Sequence, residues 1–363
     1  MRFTNVVLSS AAASIAAAAP FSYPLANGFP SLSKTALAEV YKLAGGTLPN
    51  GALPSSLKPG GVQALQLIAA NELFEVAYFS ELLANVTNNV PGYEIENKDY
   101  VVDTLTAVVN VSLSPTPKPR LETDNSQQEQ VHVLSANGVL ANAKNTTIQP
   151  CQYNFPVSTF DSAIALAETF TEVVLGVLPV AQGLFASDGG DETALVPIVG
   201  SIIGQEGEQV GYYRYLQKKV ASSAPLLTGG APQFAYTAIS QFIVPGSCPN
   251  IGVIGLTAFP PLTVETTPQA ENFTQLFSVL GSISAQNASV TYISGQNLPV
   301  TVPISNVNVE GGKSYFFAPF PYEQGFARGL TLGAVTVGSA PSFSSAAQVA
   351  NATLFGPALI EID

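Results

Sequence analysis

Residues 62–88 read VQALQLIAANELFEVAYFSELLANVTN. Stepping along them by three and four residues picks out Val62, Leu65, Ala69, Glu72, Val76, Phe79, Leu83 and Val86. That spacing is one face of an α-helix, and it is apolar except at Glu72. A carboxylate inside an apolar stripe either meets a compensating group or takes up a proton, because an unpaired buried charge is strongly unfavourable. The rest of the chain has to supply the partner of Glu72.

Three more segments carry the helical period, each with an acid in its seam. Residues 193–221 step through Leu195, Val199, Ile202, Glu206, Gln209, Tyr213, Leu216 and Val220. Residues 123–143 put Asn125, Glu129, His132, Ala136 and Val139 on one line, and His132 is the one histidine of the 363-residue chain. Residues 157–186 carry Glu168 and Glu172 one turn apart, beside Ile164, Thr171 and Leu175. Pro179 is expected to kink this helix. The loop ASDGGDE centres near Gly189, so in an antiparallel pair equal steps from it put Glu172 level with Glu206. Glu168 then falls about 6 Å away along the axis, at the helical rise per residue.

A lone Glu-x-x-His is most often a hydrogen-bonded histidine on a helix. Four helices with inward acids, continuing as Glu129-x-x-His132 and Glu206-x-x-Gln209, instead reproduce the layout of carboxylate-bridged dinuclear metal sites. The i, i+3 spacing aims both side chains at one point; carboxylates are hard ligands that bridge metals, and imidazole adds a nitrogen donor. The predicted ligands are Glu72, Glu129, His132, Glu172, Glu206 and Gln209, for iron or manganese in a dinuclear or mononuclear centre. Glu129 and Glu206 are the expected bridges. Gln209 stands where a symmetric site has a second histidine, so a second metal is expected to bind more weakly. Glu75, one turn from Glu72, reads either as another core acid or as a residue at the edge of the first stripe. Glu208 and Arg214 fall off the seam and read as solvated, while Tyr78, Phe79, Tyr212 and Tyr213 read as packing residues before oxidation sites.

Several blocks also resemble a known family: NELFEVAYFSELLANVTNNVPGYE (71–94), QQEQVHVLSANGVLA (127–141), CQYNFPVSTFDSAIALAETFTEVVLG (151–176), IIGQEGEQVGYYRYLQ (202–217) and FIVPGSCPN (242–250). Together they are similar to secreted fungal ferritin-like proteins named for late sexual development and stress response, relatives of plant desiccation-related proteins. The resemblance covers about residues 60–255 and implies a ferritin-like four-helix bundle. It places Glu72, Glu129, His132 and Glu206 on the ferritin-like ligand pattern, and Glu172 where an acid is expected. Gln209 departs from the histidine of the wider superfamily, and the resemblance implies no particular reaction.

Composition changes near residue 250. Beyond it, short runs such as SVTYIS, LPVTVPIS, KSYFFAPF and LTLGAVTV read as strands between turns. The expected class is α+β: an arm at 20–60 with a short helix at 32–43, a ferritin-like helical bundle at 61–249, and a β-rich, sandwich-like domain at 250–363. Residues 1–19, with Arg2 before an apolar run and an alanine tail, have the layout of a secretory signal peptide. Sequons at Asn85, Asn110, Asn145, Asn272, Asn287 and Asn351 fit an exported glycoprotein. Cys151 and Cys248 are the two cysteines, and in an oxidising compartment they are expected to form one disulfide.

With 25 acidic against 13 basic residues the formal charge is −12, and the bases are scattered, so nucleic acid is excluded as a partner. No other stretch has the uninterrupted apolar length of a membrane span. The chain has no Gly-x-Ser-x-Gly elbow, Walker loop, dinucleotide fingerprint or zinc-type Cys/His cluster. The expected function is a secreted ferritin-like protein that holds iron or manganese and acts on oxygen or peroxide in stress or development. Its rival is a non-catalytic glycosylated protein of the cell wall or extracellular matrix, with a vestigial metal site and a β domain that contacts glycans or partners.

Overall fold

The computed structural model describes residues 19–96, 98–108, 128–326, 328–339 and 341–363. The expected leader, except its last residue, lies outside them, as do Asn110 and residues 123–127 of the second expected helix. In chain order the described residues form α1 (Lys34–Leu43), α2 (Pro59–Thr87), α3 (Lys98–Val108), α4 (Gln128–Asn142), α5 (Phe160–Asp188), α6 (Leu195–Leu216) and α7 (Pro232–Ser240). Eight strands follow: β1 (Thr263–Val264), β2 (Phe273–Leu280), β3 (Ala288–Ser294), β4 (Val300–Pro303), β5 (Ser305–Glu310), β6 (Lys313–Phe320), β7 (Gly329–Val337) and β8 (Thr353–Ile362), with α8 (Ala346–Ala352) before the last. This is a mixed α+β fold with antiparallel sheets.

The four segments expected as long helices are α2, α4, α5 and α6; α3, α7 and α8 were not anticipated. Pro59 opens α2, where its missing N–H has no intrahelical bond to make. Thr159 opens α5 in a reciprocal cap: the Ser162 N–H donates to its hydroxyl at 3.2 Å, and its own N–H donates to the Ser162 hydroxyl at 3.2 Å. The helix continues through Pro179 to Asp188.

Neighbouring helices run antiparallel. The Tyr78 hydroxyl of α2 donates to the Ala163 carbonyl of α5 at 2.6 Å, while Gly60 at the other end of α2 faces Leu184. Phe170 of α5 packs its ring 5.0 Å from Phe74 and 4.8 Å from Tyr78, so this face of α5 meets α2. Across the next pair, the Gln182 amide of α5 donates to the Val196 carbonyl of α6 at 2.8 Å. The arm at 20–60 is more than a surface strap, since Phe29 and Val40 are fully buried. Among the described residues α5 is the one helix long and apolar enough to cross a membrane, and 83% of its apolar window is buried in the fold.

The strands form two four-stranded sheets, ordered β1-β2-β6-β5 and β4-β3-β7-β8. Phe277, Phe316 and Phe320 of the first share a core with Val290, Tyr292, Val335 and Ile360 of the second, so the sheets pack face to face. The other face of the second sheet, through Ile293, Leu330, Leu332 and Ala334, joins the core of the helices. Alternation along β3 and β7 feeds both sides, which is why β3 is buried at every position. Helix and loop come closest at Gly176, whose carbonyl accepts from the Gly230 N–H at 2.9 Å. A Cβ at position 176 would lie 2.3 Å from the Thr228 carbonyl oxygen.

Cys151 and Cys248 are bonded, joining residues 97 apart. The bond ties the strand-like segment before α5 to the segment after α7. In the chain-entropy view such a loop restricts the unfolded chain, so replacing both cysteines by serine is expected to cost about 2–4 kcal/mol in urea unfolding. An unchanged midpoint would remove the bond from the account of stability. Of the described sequons, Asn272, Asn287 and Asn351 are exposed, and Asn85 and Asn145 are half-buried.

Candidate metal centre

Three helices bring four of the predicted residues to one point. Glu72 comes from α2, Glu129 and His132 from α4, and Glu206 from α6; one ligand atom of each lies within 4.8 Å of the others. The three glutamates are fully buried. His132 Nδ1 is central, 3.0 Å from Glu129 Oε2, 3.2 Å from Glu72 Oε2 and 3.6 Å from Glu206 Oε1. The i, i+3 step on α4 makes this possible, because it sets Glu129 and His132 on one face of the helix.

The acids outnumber the groups that satisfy them. Glu72 Oε1 and both oxygens of Glu206 are buried without a hydrogen-bond partner. Glu75, one turn beyond Glu72, is also fully buried; Asn71 donates to one of its oxygens at 3.1 Å, and the other has no partner. Burial, and then the charges of Glu129 and Glu72, push the Glu75 carboxyl well above the usual range. Glu206 is raised likewise by burial and by Glu75, Glu129 and Glu72. Glu72 is pushed up to about 7, chiefly by burial. Glu129 feels the same desolvation, but His132 and the Gln209 amide outweigh it and hold its carboxyl below the usual value. For His132, burial opposes the imidazolium, yet Glu72 and Glu129 prevail and hold it well above its ordinary value.

Two predicted ligands are not among these four. Gln209 reaches the cluster, but its amide donates to Glu129 Oε1 at 2.5 Å while its carbonyl accepts from the Tyr213 hydroxyl at 2.9 Å. An ionised carboxylate can only accept, so the amide nitrogen must face Glu129. Gln209 therefore positions Glu129, and both its ends are engaged. Glu172 is not in the cluster at all. The Gln182–Val196 bond between α5 and α6 is consistent with the expected level of Glu172 beside Glu206, but the Glu172 side chain points elsewhere. Phe170 and Val174 face α2, and at 100° per residue Glu172 points some 200° away from either. Its Oε2 instead accepts from the Leu330 N–H of β7 at 2.9 Å, which the left-handed turn at Gly329 (φ +82°) aims toward it.

Glu172 belongs to a second group with Glu168 and Glu361. Burial and neighbouring acids raise Glu172 to about 7 and Glu361 well above the usual range. Arg214, expected in solvent, is 1% exposed here. It donates to Glu168 Oε1, to the Val220 carbonyl at 2.7 Å and to Asp363 Oδ1 at 3.3 Å. Lys219 adds contacts to Glu168 at 2.9 Å and to Asp363 at 3.1 Å. Glu208 is exposed, as expected. Sequence spacing had put Glu75 one turn from Glu72, and that signal was available from the start. Tyr78 and Tyr213 spend their hydroxyls on Ala163 and Gln209, consistent with packing and positioning.

An apolar cavity of about 100 Å³ runs between α2 and α5 over α7. Leu67, Val177, Leu178 and Ala235 line it, together with Asn71 and Glu72. Of the four clustered residues, Glu72 alone lines this cavity. No family model matches the chain, and no curated protein matches it.

Proposed function

We propose that this chain is an exported ferritin-like protein whose buried acids hold a pair of iron or manganese ions. The observation that carries the reading is Glu206, fully buried with neither oxygen bonded, facing Glu72, Glu129 and His132. With a neutral imidazole, Glu72, Glu75, Glu129 and Glu206 bring four negative charges, which two divalent cations neutralise and one does not. A mixed carboxylate and imidazole set suits iron or manganese better than calcium, which takes oxygen alone. The antiparallel packing of α2, α4, α5 and α6 and the family-like blocks at 60–255 support the ferritin-like reading; the sequons and the disulfide support export.

In this reading Glu72, Glu129, His132 and Glu206 would hold the ions, and the buried Glu75 would supply the acid that α5 does not give. Bound iron or manganese would supply one-electron chemistry toward dioxygen or peroxide. The chain contributes the rest: Gln209 fixes Glu129, His132 gives up its Nδ1 proton on loading, and the apolar cavity admits small uncharged molecules while keeping bulk water out. A non-catalytic wall or matrix scaffold is the second reading, favoured by Gln209 in the place of a histidine and by the apolar face that α5 turns to α2.

Metal analysis of the purified full chain, after exposure to Fe²⁺ or Mn²⁺ and desalting, separates them. The expected result is about two ions per chain, falling at least tenfold in Glu129→Ala. Wild-type protein that retains neither metal leaves the scaffold.

A further inference from the structure

We infer that the acids between α5 and β8 form a second cation site, in which Glu172 and Glu361, with Glu168 beside them, take a hard divalent cation of the calcium class. It shares no residue with the centre above. One oxygen from each of Glu168, Glu172 and Glu361 lies within 4.8 Å of the others. Proximity of acids alone would carry nothing, but their unbonded atoms do. Glu172 is 3% exposed; the Leu330 N–H fixes its Oε2, and its Oε1 is buried with no hydrogen-bond partner. Both oxygens of Glu361 are also buried and without one.

The bases nearby are committed to Glu168 and Asp363, leaving Glu172 and Glu361 without a hydrogen bond from either. Arg214 and Lys219 bond Glu168 and Asp363, and Arg214 Nη1 stays 4.0 Å from Glu172 Oε1, too far for a hydrogen bond. With every acid ionised, as a bound cation requires, Glu168, Glu172, Glu361 and Asp363 carry four negative charges against the two positive charges of Arg214 and Lys219. Two remain, and one divalent cation cancels them. The donors are oxygen only, which selects calcium, magnesium or manganese over softer metals. Because Glu172 sits on α5 and Glu361 on β8, a cation held by both would fasten the last strand to the helices. Its role would be structural, with the modest affinity of extracellular calcium modules, a Kd on the order of 10⁻⁴–10⁻³ M.

Calorimetric titration of Ca²⁺ into the metal-free full chain tests this, alongside Glu361→Gln, Glu172→Gln and Glu129→Ala. Glutamine keeps the shape and removes the charge, and circular dichroism checks that each variant is folded. Wild type should bind one Ca²⁺ that Glu129→Ala retains and that each glutamine variant weakens at least tenfold. A flat wild-type titration, binding that survives in both glutamine variants, or binding that vanishes in Glu129→Ala overturns the site. Failure of iron or manganese to bind the other centre would leave these outcomes unchanged, so the two ideas fail separately.

Discussion

Stripped of metal, the protein should be most stable near pH 5 and lose stability steadily as the pH rises through 7. Glu72 moves from 4.5 to about 7 on folding, and Glu75 and Glu206 also move up. An acid with a raised folded value binds its proton more tightly in the native state. The native chain then carries more protons than the unfolded one between the two values, and stability falls with pH across that window. For Glu72 alone the loss is on the order of 3 kcal/mol, accrued between about pH 4.5 and 7. His132 acts in the same direction: raised above 6.5, it contributes stability that is present below that value and lost as pH climbs through its folded one. Glu129 is lowered and has the opposite sign, but its effect falls below 4.5, outside the window. Metal ions in place of these protons should reverse the trend, because binding requires deprotonated ligands. Urea unfolding at about pH 5 and about pH 8, in chelator and in excess Mn²⁺, measures both slopes. Glu206→Gln should flatten the chelated one. A metal-free chain indifferent to pH, or one that Mn²⁺ fails to stabilise at the higher pH, would sink the account of the cluster.

The contrast between Glu206 and Glu172 shows how far the amino-acid pattern reaches. Helix α6 has one buried seam, so an acid in that seam had to point at the neighbouring helices, and Glu206 does. Helix α5 is buried on opposite sides, by α2 and by the second sheet, and nearly all its middle residues are buried. Periodicity marks which residues are buried but not which of two buried faces an acid will share. Glu172 could therefore be placed in depth and not in azimuth. Arg214 was misread for a related reason: it lies off the seam of α6, and nothing local reveals that β8 returns from more than a hundred residues away to cover it. Strands β3, β4, β6 and β7 were legible as short runs between turns, rich in β-branched residues in β3, β4 and β7 and in aromatic ones in β6. Their sheet order was not, since the β2–β6 and β7–β8 pairings join segments apart in sequence. Helix α7 was short, yet its opening proline was a start signal that the reading passed over.

Replacing Arg214 by alanine should destabilise the protein by about 3–5 kcal/mol, the range for removing one partner of a buried ion pair. The guanidinium is 1% exposed and serves three directions at once: Glu168, the Val220 carbonyl and Asp363. Its loss leaves Glu168, itself fully buried, facing Lys219 and Gln217 alone, and frees the last residues of β8 from the end of α6. Lysine should not rescue it, because a single ammonium on a flexible stem cannot reproduce the planar fork that reaches all three acceptors. The charge account makes a sharper claim than the size of the loss. A buried pair exchanged as a whole for apolar side chains is often neutral, since the desolvation of both ions disappears with their attraction. Arg214→Met with Glu168→Met should therefore recover most of the stability lost in Arg214→Met alone, read as the shift in urea midpoint at constant slope. If the double variant is no better than the single one, the loss is one of packing, and the network of α5, α6 and β8 is not held by charge.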